Sequence, residues 1–121
     1  MPHCIFEYSA NIADEANWPQ IILKVHEKLI STGMFVAEDI KSRVLRHESF
    51  VIGNGEENQS FVTLNIQMLD GRSDDMKREL ARMASEILVE AFPKSLARQK
   101  CSITVQVSEI HRSSYQRHVS Y

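Results

Sequence analysis

The residue with the most obvious chemical potential is Pro2, in the opening Met1-Pro2-His3. Methionine aminopeptidases remove an initiator methionine when the next residue is small, and proline qualifies, so processing would leave a secondary amine at the chain terminus. An α-amino group titrates near about 7.7–8.0, and burial or neighbouring cations lower that pKa by disfavouring the charged form. Such an amine can act as a general base at neutral pH. The alternative is a rigid residue that starts an edge strand.

Arg72 is the second candidate, in Gly71-Arg72-Ser73 between a strand pattern and a helix pattern. A cation gains nothing from a helix N-terminus, which favours anions. Its position makes sense if an anionic ligand is shared between the guanidinium and the free N–H groups of the first helical turn. The alternative is a solvated loop arginine.

Lys41 and Arg43 are two residues apart in Lys41-Ser42-Arg43-Val44. Residues at this spacing lie on one face of a strand, so both side chains could reach one anionic site. They could equally be two surface charges near a strand end. The five histidines show no metal-ligand spacing, and no phosphate loop, nucleophile elbow or zinc signature is present, so we expect no metal and no cofactor.

The elements that would position these residues follow a strand–helix–strand order, twice. In the first half we predict a strand over 2–8, a helix capped by Asn17 and ended by Gly33, and a strand over about 41–51.

In the second half, strict alternation predicts a half-buried strand over 61–69. Ser73 caps the clearest amphipathic helix, which ends before Pro93, and a last strand covers roughly 102–110. The tail from His111 onward has no period, and we expect it to run over a surface or a neighbouring subunit.

This order predicts an α+β two-layer sandwich in one domain, 1–121, with two β-α-β halves of about 1–58 and 59–121. Each half should pair its strands in parallel with a right-handed crossover. The result is one four-stranded sheet with both helices on one face. Because Ile5, Phe6 and Leu45 place apolar residues on both faces of the sheet, we expect oligomerisation to cover the helix-free face.

Composition narrows the functional classes. The chain has 121 residues, 43% hydrophobic and 25% charged, with a net charge of −2, which is typical of a globular domain. The basic residues form no stripe, so we expect no nucleic-acid partner. No apolar run approaches the ~20 residues of a membrane span, and the acidic N-terminus does not resemble a signal peptide, so we expect a cytoplasmic protein. Cys4 and Cys101 lie in apolar runs and are expected to be reduced and packed.

The motifs, in their order and spacing, resemble the 5-carboxymethyl-2-hydroxymuconate isomerase family of the tautomerase superfamily. The resemblance covers Pro2 to about His111 and rests on Met1-Pro2-His3, Thr32-Gly33-Met34-Phe35, Ile40-Lys41-Ser42-Arg43-Val44 and Gly71-Arg72-Ser73. It implies a homotrimer and a cofactor-free reaction. In that reaction, the Pro2 nitrogen moves a proton between carbons of a 2-hydroxymuconate-like dicarboxylate.

The resemblance also assigns substrate-binding roles. The arginine that precedes the family's helix corresponds to Arg72, and another binding arginine, in an Arg-Ser-Arg-Val stretch, corresponds to Lys41, beside Arg43. Lysine offers a point charge where arginine offers a bidentate fork. Two other functions stay open at this stage. One is hydration or dehalogenation of a conjugated acid on the same scaffold, and the other is a non-catalytic trimeric ligand-binding protein.

Overall fold

The computed structural model describes all residues, 1–121. The sheet contains four strands: β1 (His3–Ser9), β2 (Lys41–His47), β3 (Gln59–Leu69) and β4 (Lys100–Ile110). Two long helices, α1 (Trp18–Ser31) and α2 (Asp74–Ala91), connect the strands of each half, and a short helix, α3 (Pro93–Arg98), follows α2. Two short 3₁₀ turns cover Ala37–Asp39 and Arg112–Ser114. No helix combines the length and the apolar composition that a bilayer crossing requires.

The strand order is β2-β1-β3-β4. Within each half the strands are parallel, β1 with β2 and β3 with β4, and the halves meet where β1 and β3 pair antiparallel. The predicted four-stranded sheet with helices on one face is therefore confirmed. Residue 2 consequently precedes a central strand, although the sequence pattern was also compatible with an edge strand.

The two halves repeat one backbone contact. The carbonyl of Pro2, just before β1, accepts a hydrogen bond from the N–H of Lys41, the first residue of β2, at 3.1 Å. The carbonyl of Asn58, just before β3, accepts the equivalent bond from Lys100, the first residue of β4, at 3.0 Å. Pro2 and Asn58 are thus counterparts at opposite ends of the sheet.

The core lies between the helices and one face of the sheet. Alternate β3 residues point into it, and all four of its apolar contributors are buried: Val62, Leu64, Ile66 and Met68. The helices complete it with residues spaced three or four apart, so that each presents one buried stripe: Ile21, Val25 and Leu29 from α1, and Leu80, Ala84 and Leu88 from α2. Asn17 caps α1 and Ser73 caps α2 through their side chains, as expected.

The helix-free face carries the apolar side chains of Ile5 and Leu45, as expected, but its other strands are mainly polar. Thr63, Asn65 and Gln67 of β3 lie on it, and the register places Thr104, Gln106 and Ser108 of β4 beside them. Asn65 Oδ1 accepts a hydrogen bond from Ser108 Oγ at 2.9 Å. The alternation in β3 thus separates its buried apolar face from a largely polar helix-free face.

Two element boundaries also differ from expectation. β2 ends at His47 and does not continue to residue 51; beyond it, Phe50 packs edge-on against Phe61, with ring centroids 5.9 Å apart. Pro93 begins α3, so the chain is still helical after it. The carboxylate of Asp14 accepts hydrogen bonds from the N–H groups of Lys94 and Ser95, which gives α3 its N-terminal cap.

Candidate active site

Pro2 is fully buried immediately before the first residue of β1, and Met1, which precedes it, borders a cavity. The Met1 side chain lines that cavity, and its sulfur accepts a hydrogen bond from Tyr115 Oη at 2.8 Å. Burial lowers the pKa of the Met1 amine below its usual value. The Asp39 carboxylate opposes that shift in pKa, and the charges of Lys41 and Arg117 reinforce it. An amine at this end of β1 is therefore held towards its neutral, basic form.

The cavity has a volume of about 210 Å³ and two kinds of wall. The apolar wall consists of side chains from the segment after α1 and from the end of β3: Met34, Phe35, Met68 and Leu69. The polar wall carries three guanidinium groups and one carboxylate: Arg72, Arg112, Arg117 and Asp39. Such a cavity suits an anion with an apolar carbon skeleton.

Arg72 reaches the cavity because of the turn between β3 and α2. Gly71 takes φ +108, a left-handed value that side-chain-bearing residues rarely adopt, and Ser73 then caps the helix by accepting from the N–H of Met76 at 3.2 Å. Arg72 is exposed and belongs to no ion pair in the chain. Its guanidinium is thus available to a ligand.

Lys41 and Arg43 do not line this cavity. Lys41 Nζ donates to the main-chain oxygens of Glu38 and Asp39, at 3.1 and 3.3 Å. Its charge nevertheless acts on the N-terminal amine. Arg43 Nη1 contacts His3 Nδ1 at 3.1 Å on the helix-free face, and burial together with this guanidinium lowers the pKa of His3. The structure thus places Arg72 on the cavity that Met1 also lines, keeps Lys41 within electrostatic range of the terminal amine, and places Arg43 apart.

Sequence reasoning missed the part of the site that the C-terminal tail provides. Arg112, Tyr115 and Arg117 all line the cavity. The only signal in the sequence is the tail's content of arginine and tyrosine, which no periodicity connects to a particular element. No cluster of histidine, cysteine, aspartate and glutamate side chains has the arrangement of a metal site.

The fold defines the class of protein. The structure superposes on a 5-carboxymethyl-2-hydroxymuconate isomerase from Deinococcus radiodurans R1 with a TM-score of 0.90, at 24% identity, over 97% of this chain and 88% of that one. It also superposes on a fused 4-OT symmetric trimer with a TM-score of 0.73, at 11% identity, over 98% of this chain and 91% of that one. This is the tautomerase-superfamily fold.

The sequence identifies the family. The profile of 5-carboxymethyl-2-hydroxymuconate isomerase matches residues 2–120. The 5-carboxymethyl-2-hydroxymuconate Delta-isomerase of Escherichia coli is 28% identical over 111 residues, which cover 92% of this chain and 88% of that protein. The chain belongs to the 5-carboxymethyl-2-hydroxymuconate isomerase family and is an isomerase, so the resemblance drawn from its motifs is confirmed.

Proposed function

We propose that the chain, after removal of Met1, isomerises a 2-hydroxymuconate-like dicarboxylate and uses the secondary amine of Pro2 as its general base. The observation that carries this proposal is the terminal amine. Burial lowers the pKa of the Met1 amine, at a cavity walled by three arginines, and removal of Met1 would leave the Pro2 amine one residue further into the same buried end of β1. While Met1 is attached, the Pro2 nitrogen is an amide and has no basicity. Excision of Met1 would both create the amine and vacate the part of the cavity that Met1 lines.

The reaction needs only proton transfer. In the ketone form of the substrate, neutral Pro2 takes a proton from the carbon α to the carbonyl, which leaves a dienolate, and the protonated amine returns that proton to another carbon of the conjugated system. In the enol form, Pro2 takes the hydroxyl proton and reaches the same dienolate, and protonation on carbon then gives the ketone. A neighbouring guanidinium would stabilise the negative charge that develops in between. The conjugated substrate acidifies its own C–H bond, so the chemistry calls for no cofactor.

The cationic groups would bind the substrate carboxylates. Arg72 is the first candidate to bind a substrate carboxylate, because it lines the cavity and belongs to no ion pair. Lys41 would act mainly through its charge, since two of its three donors already contact main-chain oxygens. Arg43 stays a candidate from the sequence, and its position on β2, at the edge of the sheet, would suit a site shared with a second copy.

We also propose that the chain forms a homotrimer, as the family resemblance implies. Two features support this: the fold neighbours include a symmetric trimer, and both edge strands of the sheet, β2 and β4, have an unpaired side.

The decisive test follows the enol-to-ketone conversion of 2-hydroxymuconate by absorbance, with the terminus of each preparation established by mass spectrometry. We expect protein lacking Met1 to be active, and Pro2→Ala or protein that retains Met1 to lose at least ~10²-fold, the lower range for a general base. Pro19→Ala, at the first turn of α1, is the matched proline control. Unchanged rates in Pro2→Ala and in the Met1-bearing protein would remove Pro2 from the mechanism.

A further inference from the structure

The C-terminal tail, 111–121, lines part of the cavity and is fastened at several points. Arg112 Nη2 donates to the main-chain oxygen of Asp70 at 2.9 Å, and its Nε lies 3.6 Å from the Asp70 carboxylate. Farther along, Tyr115 contacts Met1, and Arg117 Nη2 donates to Asp39 Oδ1 at 2.6 Å. The tail therefore joins the end of β3 to the turn before β2 and spans the cavity between them.

Arg112 and Arg117 differ in what they leave free. Arg112 is turned back onto Asp70, at the root of the tail, and serves as its anchor. Arg117 places one nitrogen on Asp39, and the carboxylate fixes the plane of the guanidinium beside the cavity. A guanidinium carries five N–H donors in a rigid fork, so the remaining donors of Arg117 can bind a second carboxylate.

We propose that Arg117 is a specificity-determining residue, which binds the carboxylate farther from Arg72 and so makes the tail select dianionic substrates. This rests on the proposed function and names the residue that recognises the second acid group. The cavity agrees with it: Arg72 belongs to no ion pair and Arg117 keeps donors beyond its bond to Asp39, so each end of a dicarboxylate could meet one guanidinium. A monocarboxylate would leave Arg117 with Asp39 alone.

Binding of unreactive acids tests the proposal without any turnover. Adipate has the six-carbon chain and two carboxylates of a muconate skeleton, and hexanoate has the same chain with one carboxylate. Isothermal titration of both acids would compare the wild type with Arg117→Gln and Arg117→Lys, all lacking Met1. Arg82→Gln is the matched control, because Arg82 is also held by carboxylates, Glu79 and Glu86, but on the exposed face of α2.

We expect Arg117→Gln to weaken adipate binding by about 10-fold or more and hexanoate binding by less than about twofold, with Arg117→Lys in between. Arg82→Gln should change neither. Equal losses for both acids would overturn the proposal, because they would mean that Arg117 only docks the tail. Unchanged adipate affinity, or no adipate binding by the wild type, would overturn it as well.

These outcomes can be separated from failure of the proposed function. If 2-hydroxymuconate is not converted but adipate selectivity depends on Arg117, the proposed reaction is wrong and the role of the tail stands. If conversion depends on Pro2 but adipate selectivity does not depend on Arg117, the reverse holds.

Discussion

Replacing Arg72 by alanine should remove substrate binding without damaging the fold. Arg72 is exposed and belongs to no ion pair, so the substitution orphans no partner and its whole cost falls on the ligand. A hydrogen bond to a charged group contributes about 1.5–3 kcal/mol, so we expect kcat/KM for a dicarboxylate to fall by about 10- to 150-fold, mainly through KM. Lys41→Ala should cost about tenfold or less, because only one of the three Lys41 donors is free.

The assay measures kcat and KM for 2-hydroxymuconate and for an analogue that lacks one carboxylate, with thermal unfolding as a check on the fold. Arg98→Ala, an exposed arginine on α3 that forms no ion pair, is the matched control. Arg72→Ala within about twofold of the wild type would refute the reasoning, as would a larger loss from Lys41→Ala. A loss of kcat alone, with KM unchanged, would assign Arg72 to the transition state and not to binding.

Three further predictions concern the terminal amine, a partly buried histidine and the core. Burial and the charge of Lys41 lower the pKa of the Met1 amine, and we expect the same of the adjacent Pro2 amine. The kcat/KM of protein lacking Met1 should therefore rise with pH with an apparent pKa below that of an ordinary α-amine, and Lys41→Ala should raise that pKa. A pH–rate profile tests both. Burial lowers the pKa of His26 in the folded chain, so on acidification the unfolded chain takes up a proton at this histidine first. The free energy of unfolding should therefore fall as pH drops below about 6.5. Urea titrations should show a weaker fall for His26→Gln than for the exposed control His118→Gln. Leu88→Ala, which removes a fully buried side chain of α2, should lower the free energy of unfolding by about 2–5 kcal/mol and leave the preference for dicarboxylates unchanged.

What could be predicted from the sequence was encoded locally. Ser73, three residues before the N–H that it accepts from, marks the start of α2, and the alternation in β3 gives its buried face. The short helix α3 was missed because its cap, Asp14, lies 80 residues away from Lys94 in the sequence. No window along the chain contains both partners of such a contact.

The candidate site divides in the same way. Arg72 could be predicted because a strand, a turn and a helix start follow one another in the sequence. Arg117 could not, because it reaches the cavity through Asp39, 78 residues earlier. Lys41 and Arg43 were paired by their spacing on one strand, but spacing alone does not show that Lys41 donates to its own turn and Arg43 to His3.

The repeated contact at the two ends of the sheet has a consequence for stoichiometry. Pro2 and Asn58 hold equivalent places before β1 and β3, and each accepts the first N–H of the neighbouring parallel strand. Only the first of these places can ever carry a free amine, because the backbone continues through residue 58 as an amide. The two halves of the fold are therefore alike in backbone structure but not in chemistry, since only one of them can carry an amine. Each chain should take up one equivalent of a reagent that consumes the prolyl amine. Three equivalents per proposed trimer would be complete labelling, and no second population of sites should be found in the other half of the sheet.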